Sequence, residues 1–254
     1  MSIVEKALVK SRSVRGREPD ALAQPLPAPA SEPAPRPTPA RSVAMQAGGN
    51  DALRVFWSGH VDASLVNHLR GLRRELLAHL QPVLDSGGVP LVLITSPLPG
   101  DGKTFVSAAI SRTFARAPDM PVTLVDLDLV RHSCSNLFGA EDLPGLLDCI
   151  QGGTAVQDVL CATDVPRLTM VPAGIGSGER REAFVGDGLI AQLEQLRRSN
   201  PGGIVFLDAP PVLPVVETSL LASKVDLVLL VVRAGQTPQA AVLDSLARLG
   251  PQAK

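Results

Sequence analysis

Chemistry is concentrated in one segment of the sequence, Leu91-Val-Leu-Ile-Thr-Ser-Pro-Leu-Pro-Gly-Asp-Gly-Lys-Thr104. Glycines let backbone N–H groups turn toward phosphate oxygens, and the unpaired N–H groups at the start of a helix attract the same anion. Lys103, directly after the last glycine, would reach the β- and γ-phosphates of a nucleotide, and the hydroxyl of Thr104 would ligate a bridging Mg²⁺. We therefore predict a phosphate-binding loop formed by Pro99, Gly100, Asp101, Gly102, Lys103, Thr104 and Phe105.

Such a loop needs a strand before it and a helix after it, and the flanking residues have both patterns. The apolar run 91–94 predicts a buried strand, and the spacing of apolar residues predicts a helix over about 103–115. The pattern G-x-x-x-x-G-K-[ST] is met except at its first position, which is Pro97. A glycine turn ahead of an ordinary helix would not need lysine and threonine in these places.

Acidic residues follow two further predicted strands. The apolar runs 122–126 and 204–208 end in Asp126 and Asp208, and Asp128 comes two residues after Asp126. The carboxyl ends of parallel strands are where such sheets bind ligands, so we expect these carboxylates beside the loop. Asp126 can complete a Mg²⁺ shell, Asp128 can act as a general base toward a hydroxyl, and Asp208 can support the ion. The alternative is that they are loop caps, a common role of aspartate at strand ends.

Strands and helices alternate along the rest of the chain. We predict helices over 63–82, 143–160, 179–196 and 237–249, and strands over 168–171 and 227–232. This order predicts an α/β fold: a doubly wound, mainly parallel sheet with helices on both faces and right-handed crossovers.

The N-terminal fifth of the chain has a different composition. Residues 1–18 read as a short, mildly basic amphipathic helix, or alternatively as a frayed tail. Residues 19–50 are rich in proline and alanine and predict a disordered, extended linker. The folded domain is expected over 51–254.

Composition limits the possible partners and the cell compartment. A formal net charge of −1 argues against nucleic-acid binding by bulk electrostatics. The three cysteines lack metal-site spacing and are odd in number, which favours a reducing cytosol. No apolar run approaches the ~20 residues of a membrane span, so we expect membrane contact only through a partner.

Three motifs together resemble a known family. Thr95-Ser-x-x-Pro99-Gly-Asp-Gly-Lys-Thr104, Val125-Asp-Leu-Asp128-x-x-Arg131 and Phe206-Leu-Asp208-Ala-Pro-Pro211 resemble the Walker A, A′ and B motifs of bacterial tyrosine kinases, which are P-loop NTPases. The likeness covers roughly residues 60–250. The opening residues 1–8 are similar to the start of the subgroup encoded with exopolysaccharide and exosortase loci.

The resemblance implies an ATP- and Mg²⁺-dependent kinase that controls polysaccharide export. It implies activation by a membrane chain-length-determinant protein, and a cytoplasmic location peripheral to the inner membrane through that partner. Lys103, Asp126 and Asp128 would be catalytic, and Thr104, Asp126 and Asp208 would hold the metal. Arg70 and Arg73 match the arginines of the family's oligomerisation motif E-x-x-R-x-x-R, but Asn67 replaces its glutamate.

Two departures keep alternative functions open. The sequence contains no tyrosine, so the family's C-terminal tyrosine cluster is absent, and it ends at Lys254, soon after the last predicted helix. One hypothesis is a kinase that phosphorylates another protein; a second is a nucleotide-gated regulator without kinase activity. A third, a partitioning-type positioning ATPase, is disfavoured because Leu98 stands where those proteins have a second lysine.

Overall fold

A single mainly parallel sheet forms the centre of the protein. The computed structural model describes residues 36–46, 51–59, 62–117, 120–175 and 186–250. Within these residues the strands are β1 (Arg41–Ser42), β2 (Leu91–Thr95), β3 (Val122–Asp126), β4 (Cys161–Ala162), β5 (Leu168–Val171), β6 (Ile204–Asp208) and β7 (Leu227–Leu230). Their order is β1-β4-β5-β3-β6-β2-β7, and only β4 and β5 pair antiparallel. The predicted fold class is confirmed.

Helices cover both faces of this sheet. They are α1 (Asp51–Ser58), α2 (Ala63–Asp85), α3 (Lys103–Ala115), α4 (Ser133–Leu137), α5 (Leu146–Ile150), α6 (Asp187–Ser199), α7 (Glu217–Leu221) and α8 (Gln239–Leu249). One apolar core lies under α1, α2 and α3, and a second lies under α5, α6, α7 and α8. Among the helices described, none is both long and apolar enough to cross a membrane.

The strand beside the loop is buried on both faces. Val92 and Ile94 belong to the first core, whereas Leu91 and Leu93 belong to the second. Side chains alternate between the faces of a strand, so a strand covered by helices on both sides must be apolar throughout. This is why a continuous apolar run was a reliable sign of a central strand here.

One predicted helix is wrong. Residues 143–160 do not form a single helix: α5 ends at Ile150, a 3₁₀ turn spans Val156–Val159, and the short strand β4 follows. Gly152 has a φ of 81° and is followed by Gly153, which interrupts the helical backbone. Other boundaries shift by a few residues, and α2 continues through Pro82 to Asp85. The predicted helix 179–196 is seen as α6 from Asp187, and residues 176–185 lie outside the described part.

The last part of the proline- and alanine-rich tract packs on the domain. We name residues 36–46 the N-terminal strap. Its strand β1 pairs with β4, the Val43 N–H donates to the Ala162 carbonyl at 2.8 Å, and the Gln46 N–H donates to the Leu137 carbonyl at 2.8 Å. Val43 is buried in the first core. The expected linker therefore does not extend unpacked to residue 50. The predicted helix 1–18 and residues 19–35 and 47–50 lie outside the described residues.

Candidate nucleotide-binding site

The loop between β2 and α3 contains two glycines in a conformation that other residues rarely adopt. Gly100 and Gly102 have φ values of 91° and 98°, in the left-handed region that glycine adopts without strain. Gly102 is the residue before α3, and Lys103 is the first residue of the helix. Pro99, Gly100 and Gly102 are exposed, so this turn is open to solvent.

Side chains from a distant segment hold the loop in place. The carboxylate of Asp101 accepts a hydrogen bond from the Leu98 N–H at 2.9 Å and one from the Thr237 hydroxyl at 2.7 Å. Arg233, in the same segment as Thr237, donates to the Gly100 carbonyl at 3.3 Å. The sequence predicts Asp101 in the loop but does not indicate its hydrogen bond to Thr237, because the two residues are 136 positions apart. We call this hydrogen bond the Thr237 clamp.

The three predicted aspartates converge at the carboxyl ends of adjacent strands. Asp126 of β3 is the register partner of Asp208 of β6, and Asp208 in turn pairs with Ile94 of β2. Asp128 follows β3, and its backbone N–H donates to Asp126 Oδ1 at 3.0 Å. The side chains of all three are nearly or completely buried. The tertiary structure thus brings together the residues that the sequence predicted.

Both carboxylate oxygens of Asp126 are engaged within the chain. Oδ1 accepts from Asp128, and Oδ2 accepts from the backbone N–H and the hydroxyl of Ser135 at 2.7 and 2.8 Å. Burial, together with repulsion from Asp208, nevertheless raises the pKa of Asp126 to about 7. Ser135 was missed by the sequence analysis, since a serine within a short helix carries no recognisable signal.

One carboxylate oxygen of Asp208 accepts no hydrogen bond within the described residues and has the charge of Lys103 nearby, 3.9 Å away. Oδ1 accepts from the Ser107 hydroxyl at 2.9 Å, but Oδ2 is buried and has no hydrogen-bond partner among the described residues. Burial raises the pKa of Asp208, and the charge of Lys103 and the hydroxyls of Thr104 and Ser107 oppose that rise only in part. A buried carboxylate oxygen without a donor is costly unless a ligand completes it.

Lys103 lies among the acidic residues. Its Nζ is 3.5 Å from Asp128 Oδ2 and 3.9 Å from Asp208 Oδ2, and it donates to the Thr104 hydroxyl at 3.2 Å. Burial by itself would lower the pKa of Lys103, but the attraction of Asp208, Asp128 and Asp126 outweighs it and the pKa is raised. The amine therefore stays charged, as an amine that contacts phosphate oxygens must be.

Asp128 lines a pocket next to the loop. Its carboxylate accepts from the Arg131 N–H at 3.1 Å and from the Ser133 hydroxyl at 3.3 Å. The pocket has a volume of about 210 Å³, and most of its lining is apolar, with Pro99, Leu129, Val130, Pro210, Pro211, Pro214 and Val215. A carboxylate at the wall of an apolar pocket is suited to take a proton from a hydroxyl placed there.

The oxygen donors fit a magnesium ion. Mg²⁺ prefers hard oxygen ligands and keeps several waters, so it needs only one or two protein ligands beside phosphate. Asp208 Oδ2, which accepts no hydrogen bond within the described residues, and the Thr104 hydroxyl meet this need. The described residues contain no cluster of three or more histidine, cysteine or acidic side chains that would hold a metal alone.

Arg70 and Arg73 lie away from this site. Both are on α2, where Arg70 is exposed and the guanidinium of Arg73 stacks on Phe114, 5.4 Å from the ring centroid. Phe114 is near the end of α3, and a helix rises ~1.5 Å per residue, so these arginines are about one helix length from Lys103.

Comparison with known proteins finds similar sequences and similar solved structures among bacterial tyrosine kinases. The chain is 31% identical over 176 residues to the putative tyrosine-protein kinase EpsB of Ralstonia solanacearum, covering 69% of this chain and 23% of that protein. It therefore spans about a quarter of that relative's length. The VpsO kinase domain superposes with a TM-score of 0.61 at 28% identity, covering 70% of this chain and 84% of that domain. The kinase domain of the Escherichia coli tyrosine kinase ETK superposes with a TM-score of 0.64 at 27% identity, covering 74% and 71%. No protein-family model matches the chain.

Proposed function

We propose that this chain, a homologue of the bacterial tyrosine kinases of capsule and exopolysaccharide regions, binds Mg·ATP and transfers the γ-phosphate to a tyrosine of another protein. The observation that carries the proposal is the convergence of Lys103, Asp126, Asp128 and Asp208 beside a loop with the phosphate-binding backbone.

Each of these residues has a separate role. The loop N–H groups and Lys103 hold the β- and γ-phosphates. Thr104 and Asp208 would ligate Mg²⁺, and the bound ion would neutralise part of the phosphate charge. Asp126 was expected among the metal ligands; because its oxygens already accept three hydrogen bonds, we propose that it supports the site beside those ligands.

Asp128 is the general base of this proposal. A tyrosine side chain in the pocket beside Asp128 would present its hydroxyl to that carboxylate. A bond forms between the phenolic oxygen and the γ-phosphorus, and the bond from that phosphorus to the bridging oxygen of ADP breaks. ADP leaves with the electron pair, and the phenolic proton passes to Asp128.

The acceptor tyrosine must lie outside these 254 residues, which contain none. We propose a membrane chain-length-determinant protein as activator, regulation of exopolysaccharide synthesis or export as the role, and a cytoplasmic site at the inner membrane. The same lack of tyrosine favours a second candidate, a nucleotide-gated regulator without transfer activity. A partitioning-type ATPase is less consistent, because Leu98 replaces the lysine such proteins carry.

Transfer of labelled γ-phosphate tests the proposal. Purified chain is incubated with Mg·ATP, a tyrosine-containing peptide and the cytoplasmic tail of a candidate partner. We expect label on peptide or tail, lost in Lys103→Ala and Asp128→Asn, with nucleotide binding retained in Asp128→Asn. Label nowhere, with Mg·ATP still bound by the unaltered chain, would favour the regulator. No thermal stabilisation by saturating Mg·ATP would refute both.

A further inference from the structure

A second cavity lies between α1, α2 and α3, and it is lined by arginines. Its volume is about 360 Å³, and Arg70, Arg73, Arg112 and Arg116 contribute to its wall together with Phe56. We name it the arginine cleft. Arg112 and Arg116 belong to the end of α3 and the residue after it, so the cleft is about one helix length from Lys103.

The positive charge of this cleft is only partly compensated by the described residues, through the attraction of Asp164 for Arg112. None of its four arginines forms an ion pair there; the salt bridges that are present involve Arg74, Lys103 and Arg197. Asp164, the carboxylate whose attraction reaches Arg112, accepts two hydrogen bonds from the Trp57 indole at 2.8 and 3.0 Å.

Arg112 is buried, fixed in place and only partly satisfied. It is 4% exposed, its guanidinium lies over the rings of Phe56 and Trp57 at 4.9 and 5.4 Å, and it donates to the Trp57 carbonyl at 2.8 Å. Its Nε, like that of Arg73, is buried without a hydrogen-bond partner among the described residues. A buried guanidinium that lacks an ion pair and leaves its Nε without an acceptor costs folding free energy unless an anion completes it.

We propose that the arginine cleft binds a phosphorylated small molecule. Guanidinium groups match phosphate oxygens in paired hydrogen bonds, and several arginines converge on one cavity. The volume is that of a small-ligand pocket, and Phe56 offers an apolar surface for the rest of such a ligand. This site is distinct from the phosphate-binding loop and does not depend on the proposed kinase activity.

Pyrophosphate is the probe, and its binding to the full chain is measured by titration calorimetry. The chain carries Lys103→Ala, which weakens binding of pyrophosphate at the phosphate-binding loop. We expect a dissociation constant below about 1 mM at physiological ionic strength. The further substitutions Arg70→Ala and Arg116→Ala, both of exposed residues, should each weaken binding about tenfold. Arg74→Ala is the matched control: this arginine is on α2, is 82% exposed and does not line the cleft, so binding should be unchanged.

Other outcomes overturn the proposal. No detectable pyrophosphate binding would refute the site. Equal weakening by Arg74→Ala would show only a general attraction of the anion to a basic surface. A change of oligomeric state in Arg70→Ala and Arg116→Ala, measured by light scattering and without pyrophosphate binding, would make the cleft a subunit contact. Asp119 follows the cleft wall in sequence, outside the described residues. Binding that occurs only in Asp119→Asn would mean that the chain neutralises the cleft itself.

Discussion

Ser135 donates its backbone N–H and its hydroxyl to the same oxygen of Asp126, at 2.7 and 2.8 Å. The Ser135 hydroxyl also accepts from the Ala173 N–H at 2.9 Å, which connects the ends of β3 and β5. One serine on α4 thereby positions a buried carboxylate in the site and opposes the rise in its pKa that burial causes.

Ser135→Ala should weaken Mg·ATP binding about tenfold, because it removes one hydrogen bond to a charged group and leaves the Ala173 N–H without its acceptor. Affinity is measured by titration calorimetry. Ser111→Ala is the control, since Ser111 is equally buried but its hydroxyl has no partner among the described residues. Equal affinity in the two variants would contradict a positioning role for Ser135.

Asp126 should make the stability of the ligand-free protein depend on pH. Its pKa is about 7 when folded against 3.8 normally, so between these values the unfolded chain loses a proton that the folded protein keeps. Stability contributed by the protonated carboxyl is therefore fully present below about pH 4 and is lost as the pH rises to about 7. Asp126→Asn does not lose stability in this way, because asparagine does not titrate. The difference in unfolding free energy between the variant and wild type should therefore change by at most about 4 kcal/mol in favour of the variant between pH 4 and pH 8. Urea denaturation measures this, and a difference independent of pH would refute it.

Thr237→Val should weaken Mg·ATP binding several-fold with little change in melting temperature. The substitution keeps the shape of the side chain but removes the 2.7 Å bond to Asp101 and the acceptor of the exposed Arg233 N–H, so the loop must be ordered by the nucleotide instead. Thr113→Val serves as control, because within the described part of the chain that hydroxyl bonds to the Ala109 carbonyl of its own helix and not to the loop. An unchanged dissociation constant would show that the hydrogen bond from Thr237 to Asp101 does not contribute to Mg·ATP binding.

Val43→Asp should destabilise the domain by about 2–4 kcal/mol, because it places a charge in the apolar core beneath the strap. Ser42→Asp, which adds the same charge at an exposed neighbouring position, should have little effect. Chemical denaturation compares the two variants. If they are equally stable, the packing of the strap contributes nothing to the fold.

Some of the site was within reach of the sequence. The run from Thr95 to Thr104, with its glycines and its lysine, is local: neighbouring residues define both the turn and the start of α3. The central strands were equally accessible, since burial on both faces requires an apolar run, and Asp126 and Asp208 mark where β3 and β6 end.

Other features depend on which elements become neighbours. The hydroxyl of Ser135 reaches Asp126 because α4 packs against β3, and Thr237 reaches Asp101 because β7 lies beside β2. The strap was missed for the same reason: proline and alanine predict an extended chain, and only the sheet edge at β4 gives that chain a partner.

By itself, then, the sequence determined the phosphate loop, the central strands and the aspartates, because backbone preference and the alternation of buried side chains act over a few residues. The tertiary structure alone determined that Asp208 Oδ2 accepts no hydrogen bond within the described residues and that the pKa of Lys103 is raised. It also determined that several arginines gather around Arg112. Burial and distance set these properties, and both arise from contacts between residues far apart in the chain.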